Sequence, residues 1–303
     1  MLRPPALNPL DEIRILTTAR KVDEQEIADA IQWVESLGYT ARLGKTIGKI
    51  SNQYGGNDEE RREDFQAALD DPQVKAIWFG RGGYGSIRIL DRMNWDRFIA
   101  HPKWLIGFSD ITIWHNHINQ FFGIQTLHAL MPITFATNTT ISRELLSENM
   151  QGNYPPISFS RSNYNVHEST VTGEIIGGNL SILYSLLGTK SGFNTNGKIL
   201  FIEEIDEYRY HIDRMMISLR HAGKLDGLKA LVVGGFTDIK DNEIPFGKSY
   251  QEIILDHTRN FGYPIIFDFP CGHIADNRPL ILNAQVKFSF DNDVTMQYSS
   301  DSV

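Results

Sequence analysis

Short apolar segments alternate along the first half of the chain with segments whose apolar residues recur at helical spacing. Strands are predicted at 13–16, 40–43, 74–79 and 104–106. Helices are predicted at 23–37, 57–69 and about 111–122. The second helix begins at Asn57 with Glu60 three residues on, which is the pattern of a capping box. Strands that alternate with helices indicate a parallel, doubly wound sheet.

The composition of the sequence changes between about 136 and 168, where Asn, Thr, Ser, Pro and Tyr dominate. We interpret this segment as a connection between two domains, and whether it holds a strand of its own stays open. Further strands are predicted at 199–202, 228–233 and near 265 and 286, and helices at 211–222 and about 250–260. The predicted organisation is a first domain over 1–135, a connection over 136–170 and a second domain over 171–303.

Charge and composition exclude several classes of protein. The 303 residues include 29 Lys and Arg against 37 Asp and Glu, a net charge of −8 without a basic run, which argues against nucleic-acid binding. No stretch of 18 apolar residues is present, so a membrane-spanning helix is not expected. The amino terminus has no apolar core of a secretory signal, and Cys271 is the single cysteine, which excludes an internal disulfide. We expect a cytoplasmic protein.

A glycine-rich segment, 80–86, follows a predicted strand. Gly80, Gly82 and Gly85 have the spacing of a dinucleotide-binding loop, but Arg81 lies inside the turn and this is not the first strand–helix unit. Glycines here let the backbone approach a ligand and direct N–H groups at an anion. Nucleotide binding, a purely structural turn and an anion or oxyanion site all stay open.

A serine follows the predicted strand 104–106. Gly107 and Phe108 lead into Ser109, and a helical pattern begins at once, which is the setting of a nucleophile elbow. The second glycine of that motif is replaced by Ile111. The competing interpretation is a helix cap, in which Ser109 or Asp110 satisfies free backbone N–H groups.

An acidic segment and a histidine complete the candidate chemistry. Glu203 and Glu204 follow the predicted strand 199–202. They lie either at the edge of a ligand crevice, which the ends of such strands face, or in a solvated loop. His273 lies in a turn-rich segment, where it is either a general base or a hydrogen-bonded loop histidine. Cys271 is interpreted as a packing residue rather than a nucleophile. The spacing of the remaining histidines does not indicate a metal site, and no cofactor is expected.

Five separated blocks, taken together and in order, resemble the LD-carboxypeptidases of peptidase family S66. The resemblance extends from about Leu7 to Leu282. The blocks are Arg81-Gly82-Gly83-Tyr84-Gly85 with Arg88-Ile89-Leu90; Ile106-Gly107-Phe108-Ser109-Asp110-Ile111-Thr112; Gly177-Gly178-Asn179-Leu180-Ser181; Leu200-Phe201-Ile202-Glu203-Glu204 with Ile212-Asp213-Arg214-Met215; and Cys271-Gly272-His273 with Asn277. The chain departs from the family's pattern at Thr17-Thr18-Ala19-Arg20, at Leu127-His128-Ala129 and at Asn283.

The resemblance implies a flavodoxin-like N-terminal domain, a C-terminal α/β domain with a barrel-like sheet, and a homodimer. It implies a triad of Ser109, Glu203 and His273, with Glu203 preferred over Glu204. The oxyanion donors would be Gly82 or Gly83 together with Asp110. Substrate-binding candidates are Arg81, Tyr84, Arg88 and Asn179, with one of the arginines meeting a terminal carboxylate.

The implied activity is release of terminal D-alanine from murein tetrapeptides, at a bond between an L-centre and a D-residue. The partner would be a small peptide, without nucleic acid, membrane or metal. Two alternatives stay open: the family's immunity branch, which cleaves a peptide–nucleotide antibiotic, and a non-catalytic binding module on a flavodoxin-like fold. The immunity branch needs an aromatic platform for the nucleobase, which Trp78, Trp104 and Trp114 do not visibly supply.

Overall fold

The computed structural model describes residues 1–162, 164 and 170–299. The strands in chain order are β1 (Glu12–Leu16), β2 (Thr40–Leu43), β3 (Val74–Phe79), β4 (Trp104–Gly107), β5 (Thr126–His128), β6 (Ile157–Ser160), β7 (Val171–Asn179), β8 (Ile199–Ile205), β9 (Ala230–Thr237), β10 (Ile265–Ile266), β11 (Leu280–Leu282), β12 (Ala284–Phe290) and β13 (Asp293–Tyr298). The α-helices are α1 (Ala28–Ser36), α2 (Asp58–Asp70), α3 (Asp96–Ala100), α4 (Thr112–Phe122), α5 (Thr140–Met150), α6 (Leu180–Ser185), α7 (Arg209–His221) and α8 (Tyr250–Thr258).

The first sheet has the order β11-β5-β4-β3-β1-β2, and β1 to β5 run parallel. Its side chains alternate between two apolar layers, as a strand's period of two requires. Ile77 and Phe79 of β3 lie in the layer that holds α2 and α4. Ala76 and Trp78 lie in the opposite layer, with α1 and α5. The doubly wound parallel sheet predicted from the sequence is confirmed.

The second sheet has the order β10-β9-β8-β7-β12-β13-β6 and curls into a half-barrel. The strands from β7 to β10 are parallel, whereas β12, β13 and β6 join antiparallel. Leu200 and Ile202 of β8 share an apolar layer with α6, α7 and α8, and Ile199 and Phe201 lie in a separate cluster with β12 and β13. The expected mixed α/β fold with a barrel-like second sheet is confirmed.

The predicted connection, 136–170, holds a helix and a strand. The helix α5 begins after Thr139, whose side chain accepts the backbone N–H of Ser142, and its Leu146 and Met150 are buried against the first sheet. The strand β6 pairs with β13 at the edge of the second sheet. The segment therefore packs a helix against the first sheet and adds a strand to the second, and the domain boundaries stay a prediction.

Near the carboxyl end the chain passes directly from one sheet to the other. β11 pairs antiparallel with β5 in the first sheet, and β12 pairs antiparallel with β7 in the second. Asn283 alone separates the two strands and has φ +66°, a left-handed conformation that asparagine tolerates. Its backbone N–H donates to Ile175 at 2.7 Å, which fixes the crossing point.

Candidate active site

Ser109 lies at a sharp turn between β4 and α4. A single 3-10 turn, Ser109–Ile111, connects the strand to the helix, and Ser109 has φ +64°. This left-handed conformation is strained for a residue with a side chain. A β-carbon at Gly107 would lie 3.0 Å from Ile111 Cγ1, so the turn packs tightly on the end of the strand. The geometry is that of an elbow that presents a hydroxyl, one of the two interpretations that the sequence left open, and the turn has no side-chain cap at its start.

The glycine-rich loop packs against this elbow. A β-carbon at Gly82 would lie 3.0 Å from Ser109 Cβ and 3.2 Å from Ser109 Oγ, so only a glycine leaves the hydroxyl free. Asp110 fastens the loop, because its buried Oδ2 accepts the backbone N–H of Ser86 at 2.9 Å. Burial raises the pKa of the Asp110 carboxyl, and the bonds from Ser86 partly oppose that rise.

Glu203, buried on β8, pairs with the partly exposed His273, which lies in a turn before β11. His273 Nδ1 lies 2.6 Å from Glu203 Oε2, and the backbone N–H of His273 donates to the same oxygen at 3.3 Å. Burial alone would lower the pKa of His273, but the charge of Glu203 and its hydrogen bond outweigh burial and raise that pKa. The pair thus favours the imidazolium form, which a general base passes through.

The turn that carries His273 is held at both ends. The backbone N–H of Gly272 donates to Asn277 Oδ1 at 2.9 Å, and Thr237 Oγ1 donates to the His273 carbonyl at 2.7 Å. The ring of Phe108, the residue before Ser109, packs on the imidazole with 4.6 Å between ring centroids. The residue next to the elbow therefore contacts the candidate base.

The two neighbouring acids have different surroundings. β8 continues to Ile205, so Glu203 and Glu204 lie within the strand and not after it, which corrects the sequence analysis. Glu204 accepts the Asn179 side-chain amide at 2.9 Å and the Ser181 backbone N–H at 2.7 Å. Burial and the charge of Glu203 raise the pKa of Glu204 to about 7. His273 contacts the first acid, and Asn179 contacts the second.

A cleft of about 710 Å³ lies where the two halves of the chain meet. Its lining residues are Arg20, Arg81, Gly82, Gly83, Phe108, Ser109, Met131, Ile133, Thr134, Asn179, Ser181, Ile182, Glu204, Ile205, Asp206, Glu207, Asp238 and His273. The fold thus brings Ser109 and His273 to one cleft, with Glu203 buried behind the imidazole. Within the described ranges, the Ser109 hydroxyl makes no hydrogen bond to His273. Catalytic contacts are often long in the absence of substrate.

Two candidates for substrate binding lie outside this lining. Arg88 is held by Asp58, with Nε to Oδ1 at 3.0 Å and Nη2 to Oδ2 at 2.8 Å. Tyr84 is exposed and its ring lies 6.3 Å from that of Tyr54. Their roles in binding stay predictions, and the cleft itself presents Arg81 and Asn179.

Arg20 is a cleft residue that the sequence analysis did not select. Its side chain covers the glycine loop, since a β-carbon at Gly83 would lie 2.6 Å from Arg20 Cδ. Across the part of the chain that the structure describes, its guanidinium forms no ion pair. The available signal was its place just after β1, because the carboxyl ends of parallel strands face ligand crevices.

The described residues contain neither a cluster of metal ligands nor a helix that could span a membrane. In 1–162, 164 and 170–299, no group of three or more His, Cys, Asp or Glu side chains is arranged to hold a metal ion. In the same ranges, no helix has both the length and the apolar character needed to cross a bilayer.

Comparison with known proteins places this chain among the peptidases. The profile of the LD-carboxypeptidase N-terminal domain matches residues 13–129, and that of the C-terminal domain matches residues 172–288. A probable murein peptide carboxypeptidase of Bacillus subtilis is 31% identical over 93% of this chain and 90% of its own length. The microcin C7 self-immunity protein of Escherichia coli is 25% identical over 89% of this chain and 88% of its own. The crystal structure of a muramoyltetrapeptide carboxypeptidase from Oxalobacter formigenes superposes with a TM-score of 0.86 at 24% identity, covering 95% of this chain and 99% of that one.

These matches define a hydrolase of the carboxypeptidase class. The chain belongs to the LD-carboxypeptidase family, peptidase family S66. The resemblance found from the sequence is confirmed.

Proposed function

We propose that this protein is a serine-type LD-carboxypeptidase that releases terminal D-alanine from murein tetrapeptides, with Ser109 as nucleophile, His273 as base and Glu203 as orienting acid. One observation carries the proposal: Glu203 Oε2 lies 2.6 Å from His273 Nδ1, and the imidazole shares a cleft with the hydroxyl of Ser109. A base oriented by a third group next to a hydroxyl is the arrangement of nucleophilic catalysis.

The chemistry follows the roles of these side chains. Ser109 Oγ attacks the carbonyl carbon before the terminal residue, and His273 Nε2 takes the hydroxyl proton. As the C–N bond breaks, that proton passes from His273 to the departing amine. Water then attacks the acyl-enzyme ester and gives a proton to His273, which returns it to Ser109 Oγ. Glu203 keeps the proton of the neutral imidazole on Nδ1, so that Nε2 is free to act.

The developing oxyanion needs donors that are already in place. The backbone N–H groups of Gly82 or Gly83 and of Asp110 are suited to this role, because the loop and the elbow pack directly on each other. The bond from Ser86 to Asp110 holds the two segments together. The removal of one such donor typically costs about 10²–10³ in turnover.

The distribution of charge in the cleft suits a peptide with a free carboxylate. Arg20 and Arg81 lie on the side of the glycine loop, and an arginine pair binds a carboxylate well. Glu204, Asp206 and Asp238 lie among the lining residues contributed by the second half of the chain. We propose that the terminal carboxylate binds at the arginines and that an amino group of the peptide faces the acids.

The direct test is mass spectrometry of the purified protein with a murein tetrapeptide ending in D-alanine, beside its all-L counterpart. We expect loss of one alanine from the first peptide alone. Cleavage of both peptides would remove the stereochemical part of the proposal, and cleavage of neither would remove the activity.

The immunity activity is the second candidate, since one relative carries that name. Trp78, Trp104 and Trp114 are almost fully buried, so they offer no exposed platform for a nucleobase. The aromatic rings among the lining residues of the cleft are Phe108 and His273. A peptidyl-adenylate is the substrate that separates this candidate, and a non-catalytic module would cleave neither compound.

We further propose that the protein is a cytoplasmic homodimer, tested by light scattering and by cell fractionation.

A further inference from the structure

A row of buried polar side chains continues behind the candidate triad, on the side of Glu203 that His273 does not contact. Glu203 Oε1 and His128 Nε2 lie 4.0 Å apart, and both side chains are fully buried. Neither atom has a hydrogen-bond partner within the described ranges. Two unpartnered polar atoms so close together in an interior point to an interaction between them, because a buried polar group without a partner costs stability.

The other nitrogen of His128 already has a partner. Cys271 Sγ lies 3.2 Å from His128 Nδ1, and the cysteine is fully buried. Burial raises the pKa of the Cys271 thiol well above its usual range and lowers that of His128, so both groups are neutral. The thiol can therefore donate its hydrogen to Nδ1, which leaves the imidazole proton on Nε2, the atom that lies near the Glu203 carboxylate.

The opposite tautomer is unfavourable. With its proton on Nδ1, His128 would turn the lone pair of Nε2 towards the carboxylate oxygen of Glu203, and the two would repel each other. His115, a buried histidine close to this row, does not compete for Nε2. His115 directs its own Nε2 to the Gly107 carbonyl at 2.8 Å, with 6.1 Å between the two imidazole centroids.

We propose that His128, with its proton on Nε2, is a positioning residue that holds the second oxygen of Glu203, and that Cys271 selects this tautomer. The row then extends from Cys271 through His128 and Glu203 to His273. Rotation about the last torsion of a glutamate is soft. A carboxylate held at both oxygens keeps its plane, and it keeps Oε2 directed at His273 throughout turnover.

The first experiment is kinetic, and it rests on the proposed function. We expect His128→Phe to lower kcat about 10- to 100-fold with little change in KM, because it removes the polar N–H that faces the Glu203 carboxylate. The acid limb of kcat/KM should move to higher pH, since Glu203 without its second donor leaves more negative charge on the oxygen facing His273. His128→Gln should restore most of the turnover, because the Gln amide can donate from nearly the same place.

A second pair of variants tests the thiol, and a third variant is the control. Cys271→Val should show part of the decrease in kcat that His128→Phe shows. Cys271→Ser should keep a kcat near that of the wild type, because a hydroxyl also donates to Nδ1. His257 is another buried histidine, bonded to Asp213 at 2.7 Å outside the cleft. His257→Phe should lower the melting temperature, and the acid limb of kcat/KM should lie at the same pH as in the wild type. A folded His128→Phe protein with wild-type kcat and an unmoved acid limb would overturn the positioning role.

The third measurement does not depend on any substrate. Nitrogen-15 NMR of histidine-labelled protein should show His128 protonated on Nε2, with a signal that moves in Glu203→Gln. A proton on Nδ1 would overturn the proposal even if the variants were impaired. If the wild-type protein does not cleave the tetrapeptide, the proposed function fails. The NMR measurement of the His128 tautomer still tests the contact between His128 and Glu203.

Discussion

Gly272 packs directly on the side chain of Glu203. A β-carbon at position 272 would lie 2.7 Å from Glu203 Cβ and 2.9 Å from Oε2, and the glycine has φ +112°. This close approach lets the next residue, His273, reach the same carboxylate with both its backbone N–H and its ring. The position of the His273 imidazole therefore depends on the absence of a side chain at position 272.

We expect Gly272→Ala to remove most activity, because the added methyl group must push Glu203 away from His273. The left-handed φ adds about 1–3 kcal/mol of destabilisation on its own. Gly262→Ala is the matched control: Gly262 also has a positive φ, +74°, but no atom lies within 4 Å of its β-position. Both variants should lose stability in urea titrations, and only the first should lose turnover of the tetrapeptide.

Ser109→Ala and Ser109→Gly should both abolish turnover, by at least ~10⁴-fold, because each removes the nucleophile. Their stabilities should differ. At φ +64° a glycine relieves strain that alanine keeps, so Ser109→Gly should be the more stable by about 1 kcal/mol. Thermal unfolding of the two proteins checks this difference. Residual hydrolysis by either variant would contradict the assignment of the nucleophile.

The pH dependence of kcat/KM should report His273. A base acts in its neutral form, and its pKa is raised above the usual 6.5, so activity should fall with an apparent pKa above 6.5 as the pH is lowered. Glu203→Gln removes the charge that raises this pKa, so the limb should move to lower pH. The same change should reduce kcat by about 10⁴-fold, because the tautomer is no longer fixed. If the acid limb of kcat/KM lies at the same pH in Glu203→Gln as in the wild type, Glu203 is not the group that raises the pKa of His273.

Arg20→Ala should raise KM for the tetrapeptide about tenfold or more, since a hydrogen bond to a charged group is lost. A substrate with an amidated carboxyl terminus should bind both proteins equally weakly. Arg92 pairs with Glu59 and is not among the lining residues of the cleft, so Arg92→Ala serves as the control for loss of one positive charge. Equal KM values for Arg20→Ala and wild type would assign the carboxylate to another residue, of which Arg81 is the next to test.

Chelation should leave activity unchanged, because the proposed chemistry uses Ser109, His273 and backbone donors. The measurement is turnover after dialysis against EDTA, with thermal unfolding of the same sample as the control for stability. Activity lost to EDTA and restored by zinc would contradict the serine mechanism.

Local patterns were sufficient for much of the first sheet and its helices. The apolar run at 74–79 forms β3, and the pair Asn57 and Glu60 forms the capping box at the start of α2, as expected. In both cases the information lies within a few residues of sequence, in the spacing of apolar side chains or in one cap. Such elements do not depend on what packs against them from distant parts of the chain.

Elements that depend on distant partners were missed. β11 is three residues long, too short to show a periodicity, and it exists because Leu280 pairs with His128. α5 was interpreted as part of a connection because Asn, Thr and Ser obscure its pattern, although Thr139 is a recognisable cap. Loop closure over more than a hundred residues leaves no local signature.

The candidate site shows the same division. Ser109 was selected from its setting between a strand and a helix, and that setting is present in the structure. The contact of Cys271 with His128 could not be predicted from the sequence, because it depends on the register of two segments that meet only in the folded chain. Arg20 was missed because its place after β1 does not by itself show that its side chain covers the glycine loop.

The single residue that separates β11 from β12 has a consequence for how the protein is made. The edge of β5 stays uncovered until residues 280–282 leave the ribosome, after almost all of the other strands have been synthesised. An exposed strand edge invites pairing with another chain. The sheet that carries Ser109 is therefore finished only after residues 280–282 have been made, and a nascent chain stopped before Leu280 leaves the edge of β5 open.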